Sequence, residues 1–89
     1  MLNLKIDIIL SIPKDKLVEI IRAVENSDLE VIYANSNQQI KNEIESVLSA
    51  RAVELLRELS APLTNAEPRL IEHSAKNLMF VVSKLYQPN

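Results

Sequence analysis

His73 is the only histidine in the chain, and Glu72 precedes it directly. Neighbouring residues on a helix project about 100° apart, so these two do not converge on one metal ion or one proton. No HExxH-type spacing surrounds the histidine, and the chain contains no cysteine. A zinc site of ordinary ligand spacing and a thiol nucleophile are therefore not expected. Glycine is also absent, which removes the Walker loop, the dinucleotide fingerprint and the GxSxG elbow, all of which need glycine for tight turns or close approach. The carboxylate pairs Glu43/Glu45 and Glu54/Glu58 read as solvated helix faces, and His73 as a polar residue at a helix edge. The expectation is a non-enzymatic chain with no metal and no cofactor.

One charged group stands out. Arg51, Glu54 and Glu58 fall at i, i+3 and i+7, so they share one face of the fifth predicted helix, with Arg57 beside them. The plain reading is a solvated face whose intrahelical pairs contribute about 0.2–0.5 kcal/mol each. The sharper reading is a ridge that steers a protein partner by complementary potential.

The elements that must position these residues follow from periodicity and punctuation. In residues 2–10, Leu2, Leu4, Ile6 and Ile8 alternate with polar residues as in a strand, yet Leu2, Ile6, Ile9 and Leu10 also fit a helical face. Helix is preferred here, because a lone strand would need a partner chain to satisfy its ladder groups. After Pro13, Leu17, Ile20, Ile21 and Val24 recur at i, i+3, i+4 and i+7, an amphipathic helix. Ser27-Asp28-Leu29-Glu30 and Ser36-Asn37-Gln38-Gln39 both read as capping boxes with serine as N-cap. The first opens a short helix with Leu29, Val31, Ile32 and Tyr33. The second opens a helix from Gln38 to about Val47 with Ile40, Ile44 and Val47 inward and Lys41, Glu43 and Glu45 outside. Ser49 is the expected N-cap of the next helix, whose apolar face is Ala52, Val53, Leu55, Leu56 and Leu59 and which ends at Pro62. Residues 60–67 read as irregular. Pro68 suits the first position of a last helix, along which Ile71, Ala75, Leu78, Val82 and Leu85 face inward. The fold class is all-α, a single domain of six helices over residues 1–89.

Composition agrees with that reading and excludes other classes. The 89 residues carry 12 acidic and 10 basic side chains, a formal charge of −2, and are 47% hydrophobic. Such a length allows one domain with a small core. The balance of charge lacks the basic excess of a nucleic-acid binder. Lys5 and Asp7 interrupt the apolar opening, so it is a poor signal peptide. No stretch approaches the roughly 18 apolar residues of a membrane span. A cytoplasmic protein is expected, without membrane insertion.

The string Ser49-Ala50-Arg51-Ala52-Val53-Glu54-Leu55-Leu56-Arg57-Glu58 resembles the "S-x-R-A-A-x-x-L-(x)-D/E" signature of the C-terminal domain of FliG, the flagellar motor switch protein. Leu10 to Val24 is similar to that family's "L-x-L-D-D-(x)-x-I-Q-x-x-L-R-x-V" helix. Asn26-Ser27-Asp28-Leu29 falls on its "(D)-x-x-D/S-L" helix start, and Val81-Val82-Ser83-Lys84-Leu85 on its "I-V-R-R-L". Nearly the whole chain lies along the family's six-helix, armadillo-like module. Four positions depart from the family. Ala34-Asn35 replaces the Lys-bearing "A-L-K-G" turn, and Thr64-Asn65-Ala66-Glu67 replaces "G-P-V-R". The paired acids of the fifth helix become Glu58 and Leu59. The "M-F-x-F" hinge becomes Asn3-Leu4-Lys5-Ile6. Of the ridge charges through which the family is understood to engage the stator, Arg51 and Glu58 carry over. Torque generation as in the parent family therefore does not follow.

The resemblance implies a module that binds protein: the stator's cytoplasmic loop, or rotor and switch proteins at the inner face of the membrane. Arg51 and Glu58 would be the contacts, flanked by Glu54 and Arg57. The family's N-terminal and middle domains have no counterpart here, so an excised domain or a stand-alone gene product is expected. Two rivals share the length and helix pattern. One is a small helical immunity or antitoxin-type binding protein, and the other a homo-oligomeric structural piece suggested by the small core and alternating N-terminus.

Overall fold

The structure is a computed structural model that describes residues 7–86. Among these residues there are five α-helices and no strand: α1 (Lys14–Ala23), α2 (Asn26–Ala34), α3 (Gln38–Glu45), α4 (Ala50–Ser60) and α5 (Pro68–Leu85). Two 3-10 helices, Asp7–Ser11 and Ala61–Leu63, complete the order. The first of the six expected helices is represented by Asp7–Ser11 alone, since Leu2 to Ile6 lie outside the described residues. Within that short helix Ile9 is fully buried.

α2 is the centre of the fold. Its Leu29, Val31, Ile32 and Tyr33 are all buried. A helix apolar nearly all round must be covered on several sides. α5 and α4 both pack on it, α3 meets it near its end, and α1 lies along α5. The expected stripe of α1, Leu17, Ile20, Ile21 and Val24, is buried throughout, while Lys16 and Glu19 pair outside it at 3.3 Å. One cluster of buried side chains runs from Ile9 through α1, α2 and α3 to Leu78 and Val82 of α5.

Helix starts are partly as expected. Ser49 accepts a hydrogen bond from the Ala52 N–H at 3.1 Å, and Pro68 occupies the first turn of α5. The two capping boxes are not formed as read. α2 begins at Asn26 with Glu25 as N-cap and no side-chain cap, so Ser27 sits inside the helix. α3 is capped by Asn37, not Ser36, through a 2.9 Å bond from the Ile40 N–H. Asparagine is as good a cap as serine, and here it is one residue closer to the apolar run. The Ser36 hydroxyl instead donates to the Ile32 carbonyl at the end of α2.

The segment read as irregular contains the 3-10 turn Ala61–Leu63, and it is anchored rather than loose. Asn35 donates to the carbonyls of Val31 and Leu63, and its Oδ1 accepts from the Asn65 N–H at 3.1 Å. Asn65 has φ of 65°. In a chain without glycine, asparagine is the residue that tolerates this left-handed backbone at least cost.

Candidate protein-interaction surface

The Ser49 cap fixes where α4 starts, and therefore which way each of its side chains points. Leu56 and Ser60 face inward and Ala52 and Val53 are half-buried, while Arg51, Glu54 and Glu58 are exposed. Among the described residues these three make no side-chain ion pair. The intrahelical pairing of the plain reading is thus not formed, and the ridge presents its charges to solvent.

Arg57 behaves differently. Its guanidinium reaches across to α3, with Nη2 at 2.9 Å from Glu45 Oε1 and Nε at 3.3 Å from Oε2. This forked geometry is the strong form of the Arg–carboxylate pair. The Tyr33 hydroxyl donates to the same carboxylate from α2, and Lys41 Nζ lies 5.4 Å from the centre of the Tyr33 ring. Glu45 therefore does not stay outside, and neither does Glu43, which meets Lys14 Nζ at 3.0 Å. Both carboxylates are mostly covered, because each receives a cation from another helix. The hydrogen bond from Tyr33, then the one from Arg57, hold the Glu45 carboxyl below its ordinary range. Burial, then the bond to Glu45, push the Tyr33 hydroxyl up. The Glu45 carboxylate likewise raises Arg57. The tie joining α2, α3 and α4 through Tyr33, Glu45 and Arg57 was missed in the sequence, where the partners stand twelve residues apart and nothing local marks them.

A second polar tie secures the other side of α2. Asp28 accepts from the Ser74 hydroxyl at 2.9 Å and from Asn77 Nδ2 at 3.0 Å. Ser74 is fully buried, so the bond satisfies a hydroxyl that water cannot reach. His73 is exposed and, among the described residues, meets Asn77 at 3.3 Å. No group of three metal-capable side chains occurs among the described residues.

The apolar face of α4 is only partly covered, contrary to expectation. Leu55 is 53% and Leu59 46% exposed. Among the described residues α4 packs chiefly on α2 and on the Ala61–Leu63 turn, with Arg57 tying it to α3. Beside the two leucines, a groove of about 160 Å³ opens between α2 and α4, lined by Leu29, Leu48, Ala52, Leu55, Leu56 and Leu59, with Asn26 and Glu30 on its α2 wall. The charged ridge thus borders an apolar groove. Leu85, also expected inward, is 37% exposed at the end of α5.

Among the described residues no helix is long and apolar enough to cross a membrane. Compared with known proteins, residues 2–88 match the family model described as the FliG C-terminal domain, nearly the whole chain. No curated protein and no solved structure matches.

Proposed function

The chain belongs to the FliG C-terminal domain family, and on that footing we propose that it is a non-enzymatic module acting by protein–protein contact in the flagellar motor switch or a motility assembly coupled to it. In this reading it is a single six-helix, armadillo-like unit, with Asp7–Ser11 standing in the place of the remaining helix. It works in the cytoplasm, at the inner face of the membrane, and needs no cofactor. Its partner is the stator's cytoplasmic loop or another rotor or switch protein.

The observation that carries the proposal is the exposed ridge of α4. Arg51 and Glu58 occupy the family's motif positions, lie on one face and leave their charges free for a partner. Glu54 extends the same face. Arg57 flanks it and contributes by holding α4 in place through Glu45, with 60% of its side chain still open to solvent. Exposed charges of both signs on a rigid helix suit steering and register more than raw affinity.

The test is association kinetics between this chain and stator-loop or switch-protein fragments at low salt. Arg51→Glu is expected to slow association by about tenfold, with the difference shrinking as salt is added. Unchanged affinity in the Arg51→Glu/Glu58→Lys variant at low salt would overturn the ridge as the contact.

A further inference from the structure

The most exposed large apolar side chain among the described residues is Phe80 of α5, at 63%. At about 100° per residue it lies opposite the buried stripe of Ile71, Ala75, Leu78 and Val82. Lys76 and Lys84 stand one turn before and one turn after it, and both are exposed. Lys84 Nζ sits 5.1 Å from the centre of the Phe80 ring. Arg69 and His73 continue this line toward the helix start, and Glu72 lies off it. The outer face of α5 is thus a basic stripe with one aromatic ring at its middle, in a chain whose net charge is −2.

The groove between α2 and α4 has the complementary character. It is lined by leucines, with Glu30 as the charged residue of its lining, and Arg51 and Glu58 stand one turn before and one turn after Leu55 on the exposed side of α4. Its volume of about 160 Å³ also suits the ring, since an apolar cavity of about 150 Å³ holds one benzene.

Within one molecule the two features cannot meet. α4 and α5 pack on different sides of α2. Asp28 points to α5, while Glu30 and Tyr33 point to the α4 side, about 140–160° further round the helix.

We infer that the occupant of the α2–α4 groove is a second copy of this chain, docking head to tail with Phe80 in the groove and Lys76 and Lys84 against Glu30 and Glu58. Two different patches meet, so the contact is heterologous and grows into an open chain or a closed ring. It goes beyond the ridge contact proposed above, with which it shares only Glu58. One aromatic anchor in a small groove supports weak, concentration-dependent association.

Sedimentation of the full chain at low salt tests this. The wild-type average mass is expected to rise with concentration past that of a dimer, and to fall back toward the monomer as salt is added. Phe80→Glu, which keeps the groove, and Leu55→Glu/Leu59→Glu, which keeps the ring, should each stay monomeric alone. Mixed, they should form a one-to-one heterodimer that grows no further, because each retains one working patch. All three substituted side chains are solvent-exposed, so the variants keep the fold. A wild-type mass that stays monomeric to about 1 mM, the range of a weak contact, overturns the inference. So does self-association that survives Leu55→Glu/Leu59→Glu, which would mean ring-to-ring pairing, and so does a mixture that yields no heterodimer. Phe80→Glu leaves Arg51, Glu54 and Glu58 in place, so its binding to motor partners reports separately on the ridge.

Discussion

Glu45 is one carboxylate serving two donors from two helices, Tyr33 of α2 and Arg57 of α4. Both donors prefer it charged, and they outweigh the opposing effect of its partial burial, so its pKa in the fold lies below the ordinary 4.5. The sign of the consequence follows by linkage. The folded state holds its proton more weakly than the unfolded chain, so the tie stabilises the fold above pH 4.5 and is lost as the pH falls through the lowered value. Tyr33 has the opposite pattern at the other end of the scale. Its hydroxyl is raised above 10.0, so stability declines again as the pH rises past that point. Urea midpoints measured from pH 7 down to about pH 3 should therefore fall in the wild type. Glu45→Gln should be less stable at pH 7 and should show a visibly flatter acid limb, while Tyr33→Phe should fall between the two. An acid limb of the same steepness in Glu45→Gln would assign the acid sensitivity to other carboxylates.

α4 separates packing from presentation within eleven residues. Leu56 is 7% exposed and sits in the main core cluster, whereas neighbouring Leu55 is 53% exposed. Leu56→Ala should cost about 2–5 kcal/mol, as for other buried leucines, and Leu55→Ala should stay within about 0.5 kcal/mol, as for surface positions. Thermal unfolding of the two variants side by side checks this. Comparable losses in both would mean that the groove is closed by the molecule's own packing. The same element shows what a single sequence carries and what it does not. The charged side of α4 was legible, because charges must stay solvated and i, i+3, i+7 places them together. The stripe of α1 and, as far as Val82, that of α5 were legible because those residues are buried against the rest of the core, while Leu85 at the end of α5 is not. Leu55 and Leu59 were misplaced because periodicity measures how wide an apolar face is, not how much of it a neighbour covers, and the described neighbours of α4 leave both leucines about half exposed. The cap of α3 shifted by one residue because Asn37 adjoins Ser36 and competes for the same role, whereas α2 starts ahead of Ser27, with Glu25 as N-cap and no side-chain cap. Pairing of Glu45 with Arg57 depends on how α3 and α4 cross, which no local spacing encodes.

At the scale of the whole molecule, everything converges on α2. It is nine residues long, too short to hold together alone, since isolated helices below about 12–15 residues are marginal in water. Its order must therefore come from its neighbours. α5 is joined to it by Asp28 with Ser74 and Asn77, and α4 and α3 by Tyr33 with Glu45 and Arg57. Ile32, fully buried, lies in the same cluster as both sides. No one of these helices can leave without uncovering α2, so the core should open as a unit. Native-state hydrogen exchange should then show the α2 amides among the slowest, exchanging only through global unfolding. The turn at 61–65, held by the side chain of Asn35, should open locally and faster. Ile32→Ala should remove about 2–5 kcal/mol and lower the slowest protection in α1, α2 and α5 by the same amount. If α5 amides outlasted those of α2, or kept their protection in Ile32→Ala, α5 would be an independent unit and α2 a passenger on it. Parallel loss is the expected result, because a helix that cannot exist without its flanks makes their stability one quantity.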